Sequence, residues 1–296
     1  MSNFIKKTLT ILTALFGNFQ VSAGEPQAGY ATVDWSVAET LIALGEPPLA
    51  VGDVKSYQTW VIEPKLPKNT IDLGVRLQPN VELISSLSHS LNAQPLTFIH
   101  SHFYAVLNDK LSAYGKVYNV EFYKEGNAWN NIVSATQEIG KIIGKPQAVQ
   151  TLLENYEKKI TEYRPHLTPF THRPVALVQF IDTRHLRIYG ENSLLGAVIQ
   201  QLGFQNAYSR EVNYWGFQNI EITELAKLPK NTKFVVIKPY PNNIASALTH
   251  NTLWQHLPMA KEPLILPAVW TFGALPSAER FITIFANGLL QGGETW

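Results

Sequence analysis

The sequence predicts an α/β protein made of two three-layer lobes joined by a single long helix. Short segments of buried character alternate with segments of helical periodicity, the pattern of parallel sheets covered by helices. One amphipathic segment near the middle separates two halves that share this alternation. We therefore expect a first lobe at residues 24–145, a connecting helix at 146–165 and a second lobe at 166–296.

The connecting helix is predicted from apolar residues spaced three or four apart, which form one stripe along a helix. They are Val149, Leu152, Leu153, Tyr156, Ile160 and Tyr163. Pro146 suits the first turn, where its missing N–H is not needed, and Gly144 can end the preceding helix. We expect Pro165 to end the connecting helix, which would then be about 27 Å long. A continuous helix also predicts little bending between the lobes.

The first lobe should start with a strand that passes into a helix over 31–44, ended by Gly45. A buried strand at 49–54 leads to a loop that carries Tyr57 and Trp60. The later predicted elements are a strand at 71–76, a helix from Asn80, a strand that becomes a loop over 95–104, a helix at 107–114, a strand at 117–123 and a helix at 128–143.

The second lobe should start with two strands around a hairpin turn at Asp182-Thr183-Arg184. Asn192 and Ser193 can cap the helix that follows, and Gly203 ends it. The remaining predicted elements are a loop at 210–219, a helix at 222–228, a strand at 234–239, a helix at 248–257, a strand within 263–270 and a helix at 277–290.

The first 23 residues have the features of a secretory signal peptide. Lys6 and Lys7 precede an apolar run, and Val21-Ser22-Ala23 offers small residues for cleavage after Ala23. The run is too short for a membrane anchor. The lack of cysteine excludes a lipid anchor on cysteine, disulfides and thiolate metal sites. We expect an exported, soluble protein of a Gram-negative periplasm.

The charge balance argues against a nucleic-acid partner. Without Lys6 and Lys7, 22 basic side chains remain against 23 acidic ones, and no basic stripe is present. The aromatic content is the more informative feature, with 7 Trp, 12 Tyr and 14 Phe, several of them in loop-like sequence. Exposing half of a tryptophan ring to water is energetically unfavourable unless the ring contacts a partner.

One arginine and several aromatic residues fall at or just beyond predicted strand ends. They are Trp60, Arg76, Tyr104, Asn213, Tyr214, Trp215, Trp270 and Phe272. Ligands of α/β folds collect at strand ends and between lobes. A guanidinium among rings suits a ligand that presents oxygen atoms on an otherwise apolar body. For any single ring the alternative is a place in the core of a lobe.

Enzyme and metal motifs are weak. The sequence has no G-x-S-x-G, H-E-x-x-H, P-loop or G-x-G-x-x-G motif, so we expect a protein that is not an enzyme. A secreted enzyme on the same lobes stays an alternative. His100 and His102 are spaced to share one face of a strand and would need further ligands for zinc. The simpler reading has His100 facing solvent at a strand end and His102 lining a loop.

Four segments resemble the periplasmic ferric-hydroxamate (ferrichrome-type) siderophore-binding proteins. They are IDLGVRLQPNVELI, IDTRHLRIYGENSLLGAVIQQLG, VNYWGFQNIEI and LPAVWTFGALPSAERF. The resemblance implies a class III periplasmic-binding-protein fold with an aromatic cleft between the lobes. It also implies a monomer that binds a ferric siderophore and delivers it to an inner-membrane ABC permease. No intrinsic cofactor is implied, and iron would have no protein ligand.

The same resemblance implies site residues. Arg76 and Tyr104 match residues that hydrogen-bond hydroxamate oxygens around the iron, and Trp60 matches a wall of the cleft. Asn213, Trp215 and Trp270 match contacts from the second lobe. Tyr57 and Phe217 complete the predicted ligand-binding set with Phe272.

Three positions depart from the family pattern. Phe272 stands where a tyrosine donates to the iron–hydroxamate centre, and Phe217 replaces a small polar residue. Arg187 stands where an aliphatic residue is expected. These departures bear on which siderophore is bound.

Acidic residues of both lobes are implied in docking to arginines of the permease. Asp109 matches the position on the first lobe, and Glu221 or Glu224 is the candidate on the second. Acidic residues at helix starts are also ordinary partners of the helix dipole. Other ligands of the same fold stay open: zinc or manganese through His100 and His102, or haem through Tyr104.

Overall fold

The computed structural model describes residues 29–90 and 96–296, so the predicted signal peptide lies outside the described residues. The first lobe contains a sheet in the order β3-β2-β1-β4-β5, in which all neighbours are parallel. Its strands are β1 (Tyr30–Thr32), β2 (Ala50–Val51), β3 (Ile71–Asp72), β4 (Leu96–Ser101) and β5 (Gly115–Val120). The parallel order places the carboxyl ends of all five strands at one edge.

Helices cover both faces of this sheet. They are α1 (Trp35–Ala43), α2 (Val54–Trp60), α3 (Val81–Ser90), α4 (Asn108–Ser112) and α5 (Ala128–Ile142), with a 3-10 turn at His102–Leu107. The prediction of a loop around Tyr57 and Trp60 is wrong, because this segment forms the helix α2. Asp53 starts it from the left-handed region (φ 54°), and its carboxylate accepts from the Ser56 N–H. Burial of Tyr57 then holds the short helix on the lobe.

The connecting helix, α6 (Pro146–Leu167), has 22 residues and is about 33 Å long. Pro165 does not end it as expected, and the helix continues for two residues. A proline in the last turn removes a single N–H donor, and the fully buried Leu167 keeps the chain on its helical path. The buried stripe follows the predicted spacing through Val149, Leu152, Tyr156 and Ile160.

The second lobe contains a mixed sheet in the order β10-β9-β6-β7-β8. Its strands are β6 (Val175–Phe180), β7 (His185–Tyr189), β8 (Phe217–Glu221), β9 (Lys233–Ile237) and β10 (Leu264–Leu266). The expectation of a purely parallel sheet is wrong here, because β7 is antiparallel to β6 and β8. The hairpin at Asp182-Thr183-Arg184 is confirmed and causes the reversal of β7. The strand β8 lies partly inside the segment predicted as a loop.

The helices of the second lobe are α7 (Leu194–Gln201), α8 (Ile244–Thr249), α9 (Thr252–His256) and α10 (Leu275–Gln291), with 3-10 turns at Thr168–Phe170, Ile222–Lys227 and Pro258–Lys261. The helix expected at 248–257 is divided, because Asn251 caps a new helix through its side chain and the Trp254 N–H. Over the described residues, no helix has the length and apolarity to cross a membrane.

One continuous hydrophobic cluster extends through both lobes. It includes Leu41 of α1, Tyr156 of α6 and Phe281 of α10. A buried polar contact reinforces this joint: the Glu39 carboxyl accepts from the Ala274 N–H and the Ser277 hydroxyl. Burial raises the pKa of Glu39 to about 8. The joint is therefore packed and hydrogen-bonded as well as crossed by α6.

Candidate functional site

A cleft of about 530 Å³ lies between the two lobes. We call the side belonging to the first lobe the first wall: Asp34, Trp35, Ser36, Asp53, Ser56, Trp60, Arg76, Ser101, Phe103, Tyr104, Phe122 and Tyr123. The side belonging to the second lobe is the second wall: Arg187, Trp215, Phe217, Trp270 and Phe272. Seven of the nine predicted ligand-binding residues meet in this cleft.

Arg76 is the centre of the first wall. Its Nη1 donates to the Tyr104 hydroxyl at 2.9 Å, and its Cζ lies 3.8 Å from the centroid of the Trp35 ring. Trp35 is fixed in turn by its indole N–H, which donates to Gly52 O at 2.9 Å. A Cβ at Gly52 would lie 3.1 Å from Cγ of Arg76, so glycine leaves room for the arginine. The guanidinium is thus positioned before any ligand arrives.

Two aspartates of the first wall cap helices that start at the cleft. Asp34 accepts from the N–H groups of Ser36 and Ser101, at 2.9 and 3.0 Å. Asp53 accepts from the Ser56 N–H at 3.2 Å. Burial raises the pKa of Tyr104, and the nearby Asp34 carboxylate adds to the rise. Tyr104 therefore keeps its phenolic proton and can donate it to a ligand oxygen.

Rings dominate the second wall. Trp215 lies edge-on to Phe272, with centroids 5.8 Å apart, and Phe272 contacts Phe217 and Trp270 at 5.5 and 5.4 Å. Gly216 (φ +82°) makes the turn that presents Trp215 and Phe217, since a Cβ there would lie 2.5 Å from backbone atoms of residues 192 and 193. The ring edges and faces give this wall an apolar surface.

Contacts between the walls close the base of the cleft. Ser36 Oγ donates to Phe272 O at 2.6 Å, and the Trp270 indole N–H donates to Ser36 Oγ at 3.2 Å. The Tyr123 ring stacks on Trp215 with centroids 5.1 Å apart, and its hydroxyl donates to Gly273 O at 2.7 Å. The spacing of the walls is set by these bonds.

Two residues of the predicted set lie behind the walls instead of lining the cleft. Tyr57 is fully buried, donates to Pro64 O at 2.7 Å and supports Trp35 edge-on. The Asn213 side chain accepts from the N–H groups of Trp215 and Phe217 at 3.0 and 3.3 Å, which shapes their loop. Both residues position the residues that do line the cleft.

Several lining residues were not predicted. The helix-capping pairs have a local signal, since Asp34-Trp-Ser36 and Asp53-x-x-Ser56 each follow a buried strand. Tyr123 and Phe103 lack one, because their place in the cleft depends on the second lobe. Arg187 stood out only as a departure from the family pattern, and the structure places it in the second wall.

The two histidines of the possible metal motif lie in different environments, one buried and one exposed. His100 is fully buried, contrary to expectation, and its Nε2 lies 2.8 Å from Asn108 Oδ1. Burial lowers its pKa. His102 is exposed, with Nδ1 3.6 Å from a Glu121 carboxylate oxygen. Within residues 29–90 and 96–296, no three His, Asp or Glu side chains are grouped for a metal ion.

The predicted docking residues lie on the surface of both lobes. Asp109 is exposed in the first turn of α4, and Glu221 is exposed at the end of β8. Glu224 is bound to Arg210 and Lys227, and these hydrogen bonds lower its pKa, that from Lys227 most. Glu221 is therefore the better available carboxylate of the two.

Comparison with known proteins identifies the class. The model of the family described as periplasmic binding protein matches residues 31–263. The iron(3+)-hydroxamate-binding protein FhuD of Escherichia coli (strain K12) is 30% identical over 261 residues, covering 87% of this chain and 85% of that protein.

Two solved structures share the fold. FhuD from Vibrio cholerae, a siderophore-binding protein with Fe3+–Desferal bound, aligns with a TM-score of 0.82 at 22% identity, over 90% of this chain and 100% of that one. FhuD2 from Staphylococcus aureus with bound ferrioxamine B aligns with a TM-score of 0.69 at 18% identity, over 90% and 99% of the chains. The predicted family and fold class are confirmed.

Proposed function

The chain belongs to the periplasmic binding protein family, and we propose that it binds ferric hydroxamate siderophores and delivers them to an inner-membrane ABC permease. It is a binding protein and not an enzyme. The observation that carries the proposal is the Arg76–Tyr104 pair, held inside an aromatic cleft between the lobes. The 30% identical relative, whose name states iron(3+)-hydroxamate binding, supports it.

Hydroxamate oxygens saturate the coordination shell of ferric iron, so the protein recognises the complex from outside that shell. Arg76 donates to iron-bound oxygens, and because its Nη1 already donates to Tyr104, the Tyr104 hydroxyl is free to donate in the same direction. Both groups are fixed before binding, which lowers the entropic cost of ordering them.

The rings of both walls cover the organic part of the siderophore. A volume of about 530 Å³ falls in the usual range for small-molecule sites. Trp60 and Trp270 lie edge-on at 6.4 Å between centroids, one from each lobe, and bound ligand would lie against both. Phe272 and Phe217 offer no hydrogen bond, so these two rings select by shape and apolar contact.

Delivery requires a surface that the permease recognises. We assign Asp109 and Glu221 to this contact, one on each lobe, with Glu224 as a secondary candidate because it is held by Arg210 and Lys227. The protein acts as a monomer in the periplasm after cleavage at Ala23.

The experiment is a titration of the mature wild-type protein with a ferric trihydroxamate, haem and Zn2+, followed by tryptophan fluorescence. Four tryptophans line the cleft, so a bound ferric complex should quench strongly. Saturable quenching by the ferric trihydroxamate alone is the expected result. A response only to zinc or only to haem would reject the proposal in favour of another cargo.

A further inference from the structure

The second wall contains one charged side chain, Arg187. It extends from β7, where it lies opposite Gln179 of β6 and Asn219 of β8. Its Cζ lies 5.3 Å from the ring centroid of Phe217 and 5.5 Å from that of Phe272. The two phenyl rings hold the guanidinium at the cleft surface, where the aromatic faces favour a cation.

The charge of Arg187 is unmatched. Its Nε is buried and has no hydrogen-bond partner in the part of the chain that the structure describes. Across these residues no carboxylate forms an ion pair with it. Its polar neighbour is the buried hydroxyl of Tyr189, a neutral group. A partly desolvated guanidinium without a counter-ion is unfavourable, and a ligand anion would relieve this.

Arg76 has a different environment. It is bonded to Tyr104 and stacked on Trp35, and its wall also contains the carboxylates of Asp34 and Asp53. The first wall thus combines one cation with two carboxylates. The second wall has one cation and no carboxylate among its lining residues. An anionic group of a ligand is therefore attracted to the second wall.

The geometry points to Arg187 as a subsite for a carboxylate, so that the preferred ligands are ferric hydroxamates with a free carboxylate outside the iron centre. This inference rests on the proposed function. In a ferric trihydroxamate the charges cancel at the iron, and its oxygens are served by Arg76 and Tyr104. A guanidinium presents parallel N–H donors that match a carboxylate, which explains an arginine at this position better than a contact with a neutral chain.

The test uses two derivatives of one linear trihydroxamate, acetylated or succinylated on its terminal amine. They share the ferric centre and differ by a carboxylate. Binding of both is measured by tryptophan quenching for the wild type, Arg187→Leu and Arg187→Lys. Arg184→Leu is the matched control, since Arg184 is exposed in the β6–β7 turn and its loss changes the net charge equally.

We expect the wild type to favour the succinylated complex by about tenfold or more. Arg187→Leu should abolish that preference, so that the two complexes bind with equal affinity, Arg187→Lys should keep part of it, and Arg184→Leu should keep all of it. Unequal affinities that survive in a folded Arg187→Leu protein, or equal affinities in the wild type, would overturn the inference alone. A wild type that binds neither complex would reject the proposed function as well.

Discussion

The two walls of the cleft differ in their chemistry. The first wall contains fixed hydrogen-bonding groups at strand ends and helix starts, of which Arg76 and Tyr104 are the donors. The second wall contains rings from the loop before β8, from the first residue of β8 and from the loop after β10, around the single cation Arg187. The comparison suggests a division of labour: directional bonds to the iron centre from one lobe, and cover for the variable organic part from the other.

We expect the largest effect, on the free energy of unfolding, from Glu39 in the joint between the two walls. Below pH 4.5, Glu39 is protonated in the folded and unfolded states. Between pH 4.5 and 8 only the unfolded chain ionises, so folding stability falls over this range and the loss is complete above pH 8. Glu39→Gln should therefore raise the free energy of unfolding at pH 8, by on the order of 4 kcal/mol, and have little effect near pH 4.

Denaturant unfolding at the two pH values measures this difference. Glu138→Gln, at an exposed carboxyl of α5, is the control and should change stability little at either pH. Destabilisation by Glu39→Gln at pH 8 would mean that an ionised carboxylate holds the joint.

Arg76→Ala removes the central donor of the first wall. Loss of a charge-assisted contact of about 1.5–3 kcal/mol should weaken ferric trihydroxamate binding about ten- to hundredfold. Fluorescence titration checks the change. Lys68→Ala removes a positive charge from an exposed site of the same lobe and should leave the affinity unchanged. Equal titration curves for wild type and Arg76→Ala would show that the first wall does not contact the iron centre.

Phe272→Tyr adds a donor to the wall that has rings without hydroxyl groups. A new hydrogen bond to an iron-bound oxygen should tighten binding about two- to tenfold, measured in the same titration. A single added hydroxyl group would then give the second wall a hydrogen-bond donor to the iron centre, as the first wall has. Weaker binding would indicate that the site at Phe272 accepts only apolar groups.

Movement of the walls toward each other should be the smallest effect. The shared core, the Glu39 contact and α6 oppose bending, so ligand binding should move the lobes by less than about 1 Å. Small-angle scattering with and without the ferric complex measures this. A large compaction would show that the joint bends, with Gly144-Lys145-Pro146 as the place to look.

The two donors of the first wall were accessible from sequence because they lie just beyond the carboxyl ends of predicted strands. Arg76 follows β3 and Tyr104 follows β4, and in a parallel sheet the carboxyl ends of the strands lie at the same edge. Trp60 was also predicted, although the helix that carries it was not. The connecting helix was predicted from its apolar spacing, with Pro146 marking its start.

The rest depends on contacts that leave little local trace. The strand β8 is short and exposes Gln218 and Asn219, so its pairing with β7 sets its conformation more than its own pattern does. Glu39 has the appearance of a surface residue of α1 until α10 covers it. Tyr57 was predicted to line the cleft, but it is buried behind Trp35. Nothing in the sequence around Tyr57 indicates this burial.

The division between the walls is tested most directly by two variants and two ferric trihydroxamates, one cyclic and one linear, that share the iron centre but differ in backbone. Arg76→Ala should weaken both complexes by the same factor, because both present the same oxygens. Trp215→Ala should weaken the two complexes by different factors, because we expect the second wall to contact the backbone of the siderophore. The reverse pattern, with Arg76→Ala selective and Trp215→Ala uniform, would contradict the account.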